Sequence, residues 1–253
     1  MKKPMCTPEE VARIQSRLLE MAIAVRDILE KRQIPYFLTY GSLLGAVRHQ
    51  GFIPWDDDFD LYLFDDSYDK AMAALREELP EDMFLEYWET EPKFFHAWAH
   101  VKDVHSRTEC ESFPHDGHYA HQGISLDLYK VKRMPFSSVA SYRLGENIAY
   151  LDRRKEKGLI DREEYDRKMR PLLEKKETLQ PSEDHRPVFA TILPILETME
   201  VSEVLPLRRY QFEGFEFFGP ADADAFLTRR YGNYMELPPV EARKPHYSSV
   251  QFI

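Results

Sequence analysis

Apolar residues recur at helical spacing from Val11 through Ile14, Leu18, Ala22, Val25 and Leu29. That period predicts a long amphipathic helix near the start of the chain. Its beginning is marked by Thr7 as the cap, Pro8 at the first helical position and Glu10 closing a capping box. After Pro35 the run Tyr36-Phe37-Leu38-Thr39-Tyr40 reads as a short buried strand, ended by Gly41-Ser42. Ser42 is placed to cap a short helix that reaches His49 and is stopped by Gly51. Residues 59–64 form the next strand-like segment, and Ser67 can cap a helix that runs to Leu79 and ends at Pro80.

Three further strand-like segments follow, at 83–88, 97–104 and 124–131. From Ser137 to about Leu179 the pattern is helical and dense in alternating charge, and Pro171 is expected to kink or break it. Residues 208–218 look like a hairpin turning at Gly214. A helix over 221–231 then leads into Gly232 and a tail carrying Pro238-Pro239. There is no internal repeat, and no linker is long enough to divide domains, so a single domain over 1–253 is expected.

Composition narrows the class. Hydrophobic residues make up 43% and charged residues 31% of the 253 residues, which fits a soluble globular protein and excludes disordered or collagen-like chains. The net charge of -10 disfavours general nucleic-acid binding, although a bound divalent cation can still bring a nucleotide to an acidic surface. Cys6 and Cys110 alone make no disulfide framework or four-cysteine zinc site. The start lacks the apolar stretch of a secretory signal, and no apolar run is long enough to span a bilayer. A cytoplasmic location is expected.

The chemistry concentrates between Gly41 and Asp60. If Asp58 begins the strand, Asp58 and Asp60 share one face, because strand side chains alternate. Two such carboxylates repel, and a divalent cation removes the penalty; hard oxygen ligands select Mg²⁺ or Mn²⁺. An isolated Asp-Asp-Asp is usually a solvated turn, but this run abuts an apolar strand and follows Pro54-Trp55. One helix earlier, strand then Gly41-Ser42 then helix is a phosphate-binding arrangement, with free N–H groups at the helix start. A third carboxylate is wanted for two-metal phosphoryl transfer, and Asp127 is the lone acid in the apolar run Ile124-Ser125-Leu126-Asp127-Leu128. Burying it unpaired costs several kcal/mol, which argues for a partner or a metal.

These residues resemble the LicD family and, through it, the nucleotidyltransferase fold. The match is carried by Tyr40-Gly41-Ser42-Leu43-Leu44-Gly45-Ala46-Val47-Arg48-His49 and Ile53-Pro54-Trp55-Asp56-Asp57-Asp58-Phe59-Asp60. Shorter matches lie at His100-Val101-Lys102 with Thr108, around Asp127, at Phe212-Glu213-Gly214, at Arg230-Tyr231-Gly232-Asn233-Tyr234-Met235 and at His246. The resemblance implies an α+β fold: a nucleotidyltransferase-like mixed sheet flanked by helices, with a helical C-terminal half. Its core would span about 7–132 and a helical and C-terminal extension about 133–253. It implies a transferase that moves a phospho-alcohol, phosphocholine above all, from a CDP-linked donor such as CDP-choline to a hydroxyl of a cell-surface glycan or its lipid-linked precursor, with CMP leaving. Asp58, Asp60 and Asp127 would be catalytic and hold Mg²⁺ or Mn²⁺, Gly41 and Ser42 would hold donor phosphate, and Arg48 and Lys102 would neutralise the transferred phosphoryl. Asn233 stands where the family usually has an aspartate, the proline that commonly follows the third acid is missing, and the Ser42-to-Asp58 spacing exceeds that of many nucleotidyltransferases. The competing readings are a nucleotidyltransferase that releases pyrophosphate and a non-catalytic nucleotide- or glycan-binding member; the retained acids speak against the latter.

Other residues add less. His115, His118 and His121 recur every three residues in a Gly- and Pro-containing loop, which reads as a polar loop before it reads as zinc ligands. A choline group would favour an aromatic cage, with Trp55, Tyr87, Trp88, Trp98, Tyr119 and Tyr129 as candidate walls. Between Asp152 and Glu177 there are 10 basic and 8 acidic residues, a near balance that means solvated helix faces rather than a basic membrane patch. Contact with the inner face of a membrane would be at most peripheral.

Overall fold

A computed structural model describes residues 5–110, 118–191 and 196–253. The predicted first helix is α1 (Pro8–Lys31). Its capping box forms: the Glu10 N–H donates to the Thr7 hydroxyl at 3.3 Å, and the Thr7 N–H donates to the Glu10 carboxylate at 2.7 Å. The apolar stripe Val11, Ile14, Leu18, Ala22, Val25 and Leu29 is buried, as its spacing requires.

The chain continues through β1 (Tyr36–Leu38), α2 (Tyr40–His49), β2 (Asp60–Phe64), α3 (Tyr68–Glu78), β3 (Met83–Glu86), β4 (Ala99–Asp103), β5 (Ser106–Cys110) and β6 (Ser125–Pro135). Then come α4 (Phe136–Glu156), α5 (Arg162–Thr178), β7 (Pro187–Thr191), β8 (Thr198–Glu200), α6 (Val201–Val204), β9 (Arg208–Phe212), β10 (Phe215–Gly219), α7 (Ala223–Tyr231) and β11 (Tyr247–Phe252). Among the described residues seven strands form one mixed sheet, ordered β1-β2-β6-β4-β3, with β7 on β6 and β8 on β7. The pair β2–β6 is parallel, and the other pairs are antiparallel. Helices flank this sheet; α1 packs on α3 and β6. The α+β fold with a mixed sheet is therefore observed.

β6 is the pivot. Its first half pairs with β2 and β4 and its second half with β7, so the boundary expected near 132 falls inside a strand shared by both parts. The C-terminal half is helical to Thr178, after which strands alternate with short helices. The helical stretch is interrupted not at Pro171 but around Gly158, whose φ of +69° ends α4. Pro171 lies inside α5. It removes one N–H, and the residue four positions earlier, Arg167, is exposed, so water can satisfy the freed carbonyl. The predicted hairpin is β9–β10, turning at Glu213 and Gly214 with φ of +49° and +80°. β5, β7, β8 and β11 have no strong alternation, and the sequence pattern does not single them out. β11 pairs antiparallel with β5 in a separate two-stranded sheet.

Candidate active site

The strand–turn–helix at β1–α2 forms as expected, with one difference. α2 starts at Tyr40, after Thr39, which makes no side-chain cap bond. Tyr40 carries a φ of +44°, a costly value for a bulky residue, held in place by the surrounding packing. Its hydroxyl bonds that of Tyr62 on β2. Ser42 thus lies within the helix and is not its cap. It is buried, and its hydroxyl accepts the Asp60 N–H at 2.8 Å, clamping the start of β2 to α2. The hydroxyl expected to meet donor phosphate is therefore turned to the acid strand. α2 ends with Gln50 in the left-handed conformation at φ +57°, one residue before the predicted stop at Gly51.

The acids gather around this turn. β2 begins at Asp60, so Asp58 sits in the preceding loop, which Gln15 fixes through bonds to the carbonyls of Ile53 (3.0 Å) and Asp56 (2.8 Å). The parallel register sets Asp60 directly beside Asp127 of β6, and the Asp127 N–H donates to the Phe59 carbonyl at 2.9 Å. Asp127 is held from both sides: the Ser125 hydroxyl donates to one oxygen at 3.1 Å and the Tyr129 hydroxyl to the other at 2.8 Å. His100, opposite it on β4, brings Nε2 to 3.7 Å and sets Nδ1 2.9 Å from the buried Glu86. Asp56, Asp58 and Asp60 line a cleft of about 710 Å³ together with Gly41, Arg48, Arg230, His246 and the rings of Tyr40, Trp55, Tyr129, Tyr231 and Tyr234. A Cβ on Gly41 would collide with the Asp56 carboxylate, so glycine here admits an acid to the helix start.

The electrostatics of the cluster are unfavourable without a counter-charge. Burial, then repulsion by Asp58 and Asp127, pushes Asp60 well above the usual carboxylate range, with the Gly41 N–H pulling the other way. Burial, then Asp58, does the same to Asp56. Asp58 is pushed up to about 6, mainly by burial, and its 32% side-chain exposure gives water some access to it. Hard carboxylate oxygens that are buried and also crowd one another are the donor set a divalent cation fits. Asp58, Asp60 and Asp127 would hold Mg²⁺ or Mn²⁺, and Asp56 adds a fourth acid that the sequence reading left without a role.

Asp57 behaves differently. It is fully buried, and both oxygens are spent: one accepts the His246 N–H at 2.7 Å and faces its ring Nδ1 at 3.0 Å, the other accepts the Tyr247 N–H at 2.9 Å. Among the described residues the group whose ligand atoms lie within 4.8 Å of one another is Asp56, Asp57 and His246. Asp57 there already serves three N–H donors, so the group works as a tie between the acidic loop and β11. The Asp57 bond and the charges of Asp58 and Asp56 push His246 up to about 10.

Of the other expected residues, Arg48 lines the cleft and donates to the Tyr234 carbonyl at 2.6 Å. Lys102 is a correction: it is buried in β4, opposite Ser125, and its Nζ lies 4.0 Å from Glu86, outside the cleft lining. Burial beside a buried carboxylate makes it a counter-charge within the sheet layer. Asn233 lines the cleft rim and donates to Glu236 at 3.2 Å. His115 lies outside the described residues, and His121 stacks on Phe84 at 4.2 Å. Of the candidate cage rings, Trp55 and Tyr129 line the cleft, with Arg243 already 5.2 Å from the centre of Trp55. Trp98 and Tyr119 are buried, Tyr87 is turned to Glu89, and Trp88 is exposed. Asp56, Asp57 and Arg230 are the residues whose roles sequence reasoning missed, although each lies inside a motif it had singled out.

Comparison with known proteins agrees with the motif. Residues 33–139 match the family profile described as LicD/FKTN/FKRP, nucleotidyltransferase domain. The lipopolysaccharide cholinephosphotransferase LicD of Haemophilus influenzae is 28% identical over 259 residues, covering 89% of this chain and 91% of that protein. The human ribitol 5-phosphate transferase FKRP is 49% identical over 47 residues, 19% of this chain and 10% of that protein. Among solved structures, terminal uridylyl transferase 4 from Trypanosoma brucei with bound GTP is 11% identical, covering 58% of this chain and 46% of that chain, at a TM-score of 0.27, too low to bear on the fold. No helix among the described residues is long and apolar enough to cross a membrane.

Proposed function

We propose, for a chain whose residues 33–139 match the LicD/FKTN/FKRP nucleotidyltransferase domain, that it transfers a phospho-alcohol from a CDP-linked donor to a hydroxyl of a glycan, releasing CMP. The observation that carries this reading is the parallel register of β2 and β6, which sets Asp60 beside Asp127, with Asp58 beside them at a cleft that also holds Arg48 and Arg230. Asp56, Asp58 and Asp60 share one cavity with Arg48 and Arg230, of a size that holds a nucleotide-linked ligand, and Asp127 lies behind its lining, in register with Asp60. The likeness to a lipopolysaccharide cholinephosphotransferase supports phosphocholine as the transferred group and a glycan, free or lipid-linked, as acceptor.

In this reading the acceptor oxygen attacks the phosphorus that bears the alcohol. The bond from that phosphorus to the bridging oxygen breaks, and CMP leaves with the electron pair. Asp127 takes the proton of the attacking hydroxyl; the Ser125 and Tyr129 hydroxyls aim its two oxygens. Mg²⁺ or Mn²⁺, when bound, supplies charge neutralisation at the phosphoryl oxygens. Ser42 acts indirectly, by fixing Asp60, and Arg48 ties the cleft rim at Tyr234 to α2. The Tyr40, Tyr129, Tyr231 and Trp55 rings give a cationic head group several π faces.

The test is a panel of CDP-alcohols scored for thermal protection with and without Mg²⁺, since a ligand that binds only the folded protein raises its apparent stability. CDP-choline is expected to protect, and to protect more with Mg²⁺. Protection by nucleoside triphosphates alone, with pyrophosphate as product, would move the protein to the nucleotidyltransferase reading.

A further inference from the structure

Arg230 lies in the last turn of α7, and the reaction above counts it among the cations of the cleft without naming the group it binds. It lines the same cleft as the acids. Its neighbours among the cations are committed elsewhere. Arg229 pairs with Glu203 at 2.6 Å, and Arg143 donates to the carbonyls of Thr191 and Glu197 and to the Thr198 hydroxyl. Arg230 makes a loose pair, Nη1 to Glu197 Oε1 at 3.5 Å, and also meets the Tyr231 side chain, whose ring centre lies 5.7 Å from its guanidinium carbon. Its Nε is buried with no hydrogen-bond partner among the described residues. A guanidinium offers five N–H donors in a rigid fork, and this side chain, 29% exposed at the cleft, has donors left over.

Its placement relative to the acids is specific. The guanidinium carbon lies 5.3 Å from the centre of the Tyr40 ring. That ring meets Tyr129 edge-on at 5.2 Å, and the Tyr129 hydroxyl holds Asp127. Arg230 is thus linked to Asp127 through two rings, Tyr40 and Tyr129. Glu197, itself buried, sits behind it and fixes where it can reach. A donor with two phosphates needs both kinds of wall: carboxylates with metal at the phosphorus attacked, and a bidentate cation at the phosphate that gains charge as the bond breaks.

We infer that Arg230, positioned by Glu197, binds the phosphate of the departing nucleoside monophosphate and stabilises the charge it gains. The inference rests on the proposed phospho-alcohol transfer and adds to it the group that takes the leaving phosphate. Arg230→Gln leaves that phosphate unpaired, whereas Arg230→Lys keeps the charge and loses the fork.

Binding is measured by calorimetry in EDTA, so that no divalent cation contributes, with CMP, cytidine and inorganic pyrophosphate as probes. Arg230→Gln is expected to weaken CMP and pyrophosphate roughly 10- to 100-fold, the scale of a charged hydrogen bond, and to leave cytidine within about twofold. With Mg²⁺ and CDP-choline, kcat should fall on the order of 10²-fold, with Arg230→Lys in between. Glu197→Gln should weaken CMP several-fold alone and not at all in the Arg230→Gln background; a purely structural glutamate would cost the same in both. Melting curves confirm that each variant is folded. Wild-type CMP affinity in Arg230→Gln, or an equal loss of cytidine, overturns the inference. If the wild type binds pyrophosphate through Arg230 but no cytidine nucleotide, the phosphate role stands and the CDP-donor reading fails. Binding of neither pyrophosphate nor CMP to the wild type overturns the phosphate role itself.

Discussion

Two neighbouring stretches treat aspartate in opposite ways. In the cleft, Asp56, Asp58 and Asp60 crowd together, and burial with mutual repulsion raises all three. One residue away, Asp57 is fully buried but is met by the backbone and ring of His246 and by the Tyr247 N–H. The first set is strained and waiting for a counter-charge; the second is satisfied by the C-terminal strand. The same residue type in one run of three thus does two jobs, because the backbone turn sends Asp57 toward β11 and its neighbours toward the cleft. In the proposed reaction the cleft acids supply the chemistry at a cost in stability, and the tie supplies the stability that lets the loop hold them.

The sharpest way to separate these jobs is to remove one charge from each. Asp58→Asn and Asp60→Asn should each lower turnover by on the order of 10³-fold or more, by loss of metal-centred charge stabilisation. The metal-free melting temperature should hold or rise, because a repelling charge has gone. Steady-state kinetics and calorimetric unfolding of the same preparations check both halves. Asp127→Asn comes next: transfer should fall at least about 10²-fold, the scale for a lost general base, while donor affinity measured by titration is largely kept. Asp57→Ala should do the reverse. Removing a buried acceptor from three N–H donors costs about 3 kcal/mol, seen as a lower urea midpoint. A fall in activity without that loss of stability would mean Asp57 belongs with the cleft.

Sequence and structure agree best where a motif is contiguous. The capping box of α1, the turn after β1, the acid run and the β9–β10 hairpin all come from short-range patterns, and each forms. The pairing of Asp60 with Asp127 was expected from a lone acid in an apolar strand, and the β2–β6 register delivers it. What was not legible depends on long-range packing. His246 lies 189 residues from the aspartate it meets, just before a strand with no alternation to announce it. Ser42 follows a glycine in a cap-like sequence, yet the helix begins two residues earlier, and a buried hydroxyl goes to the nearest orphan donor, Asp60 N–H. Lys102 alternates toward the acid face but meets Glu86 first.

Two smaller effects refine the contrast. pH should act on the metal-free protein in two windows, the first set by the crowded acids Asp56, Asp58 and Asp60 and the second by His246. Asp58 binds its proton more tightly folded than unfolded, so stability should fall as pH rises from about 4 to about 6. His246 is raised as a base, so its contribution is complete below about 6.5 and lost as pH climbs toward about 10. Melting curves in EDTA should show both declines; Asp58→Asn should reduce the first and His246→Gln should remove the second. The smallest effect is at the turn. Ser42→Ala should cost about 1 kcal/mol of stability and reach donor binding only through Asp60. A large loss of donor affinity with stability unchanged would return Ser42 to the phosphate.

The central claim is that these acids run metal-dependent transfer with a nucleoside monophosphate as leaving group. Phosphorus NMR of CDP-choline incubated with the protein, Mg²⁺ and a glycan acceptor reads it directly. The account predicts a new phosphodiester and CMP appearing in equal amounts, both abolished by EDTA and by Asp60→Asn. Release of pyrophosphate from a nucleoside triphosphate without any reaction of the CDP donor, or a phosphodiester that forms undiminished in EDTA, would contradict it.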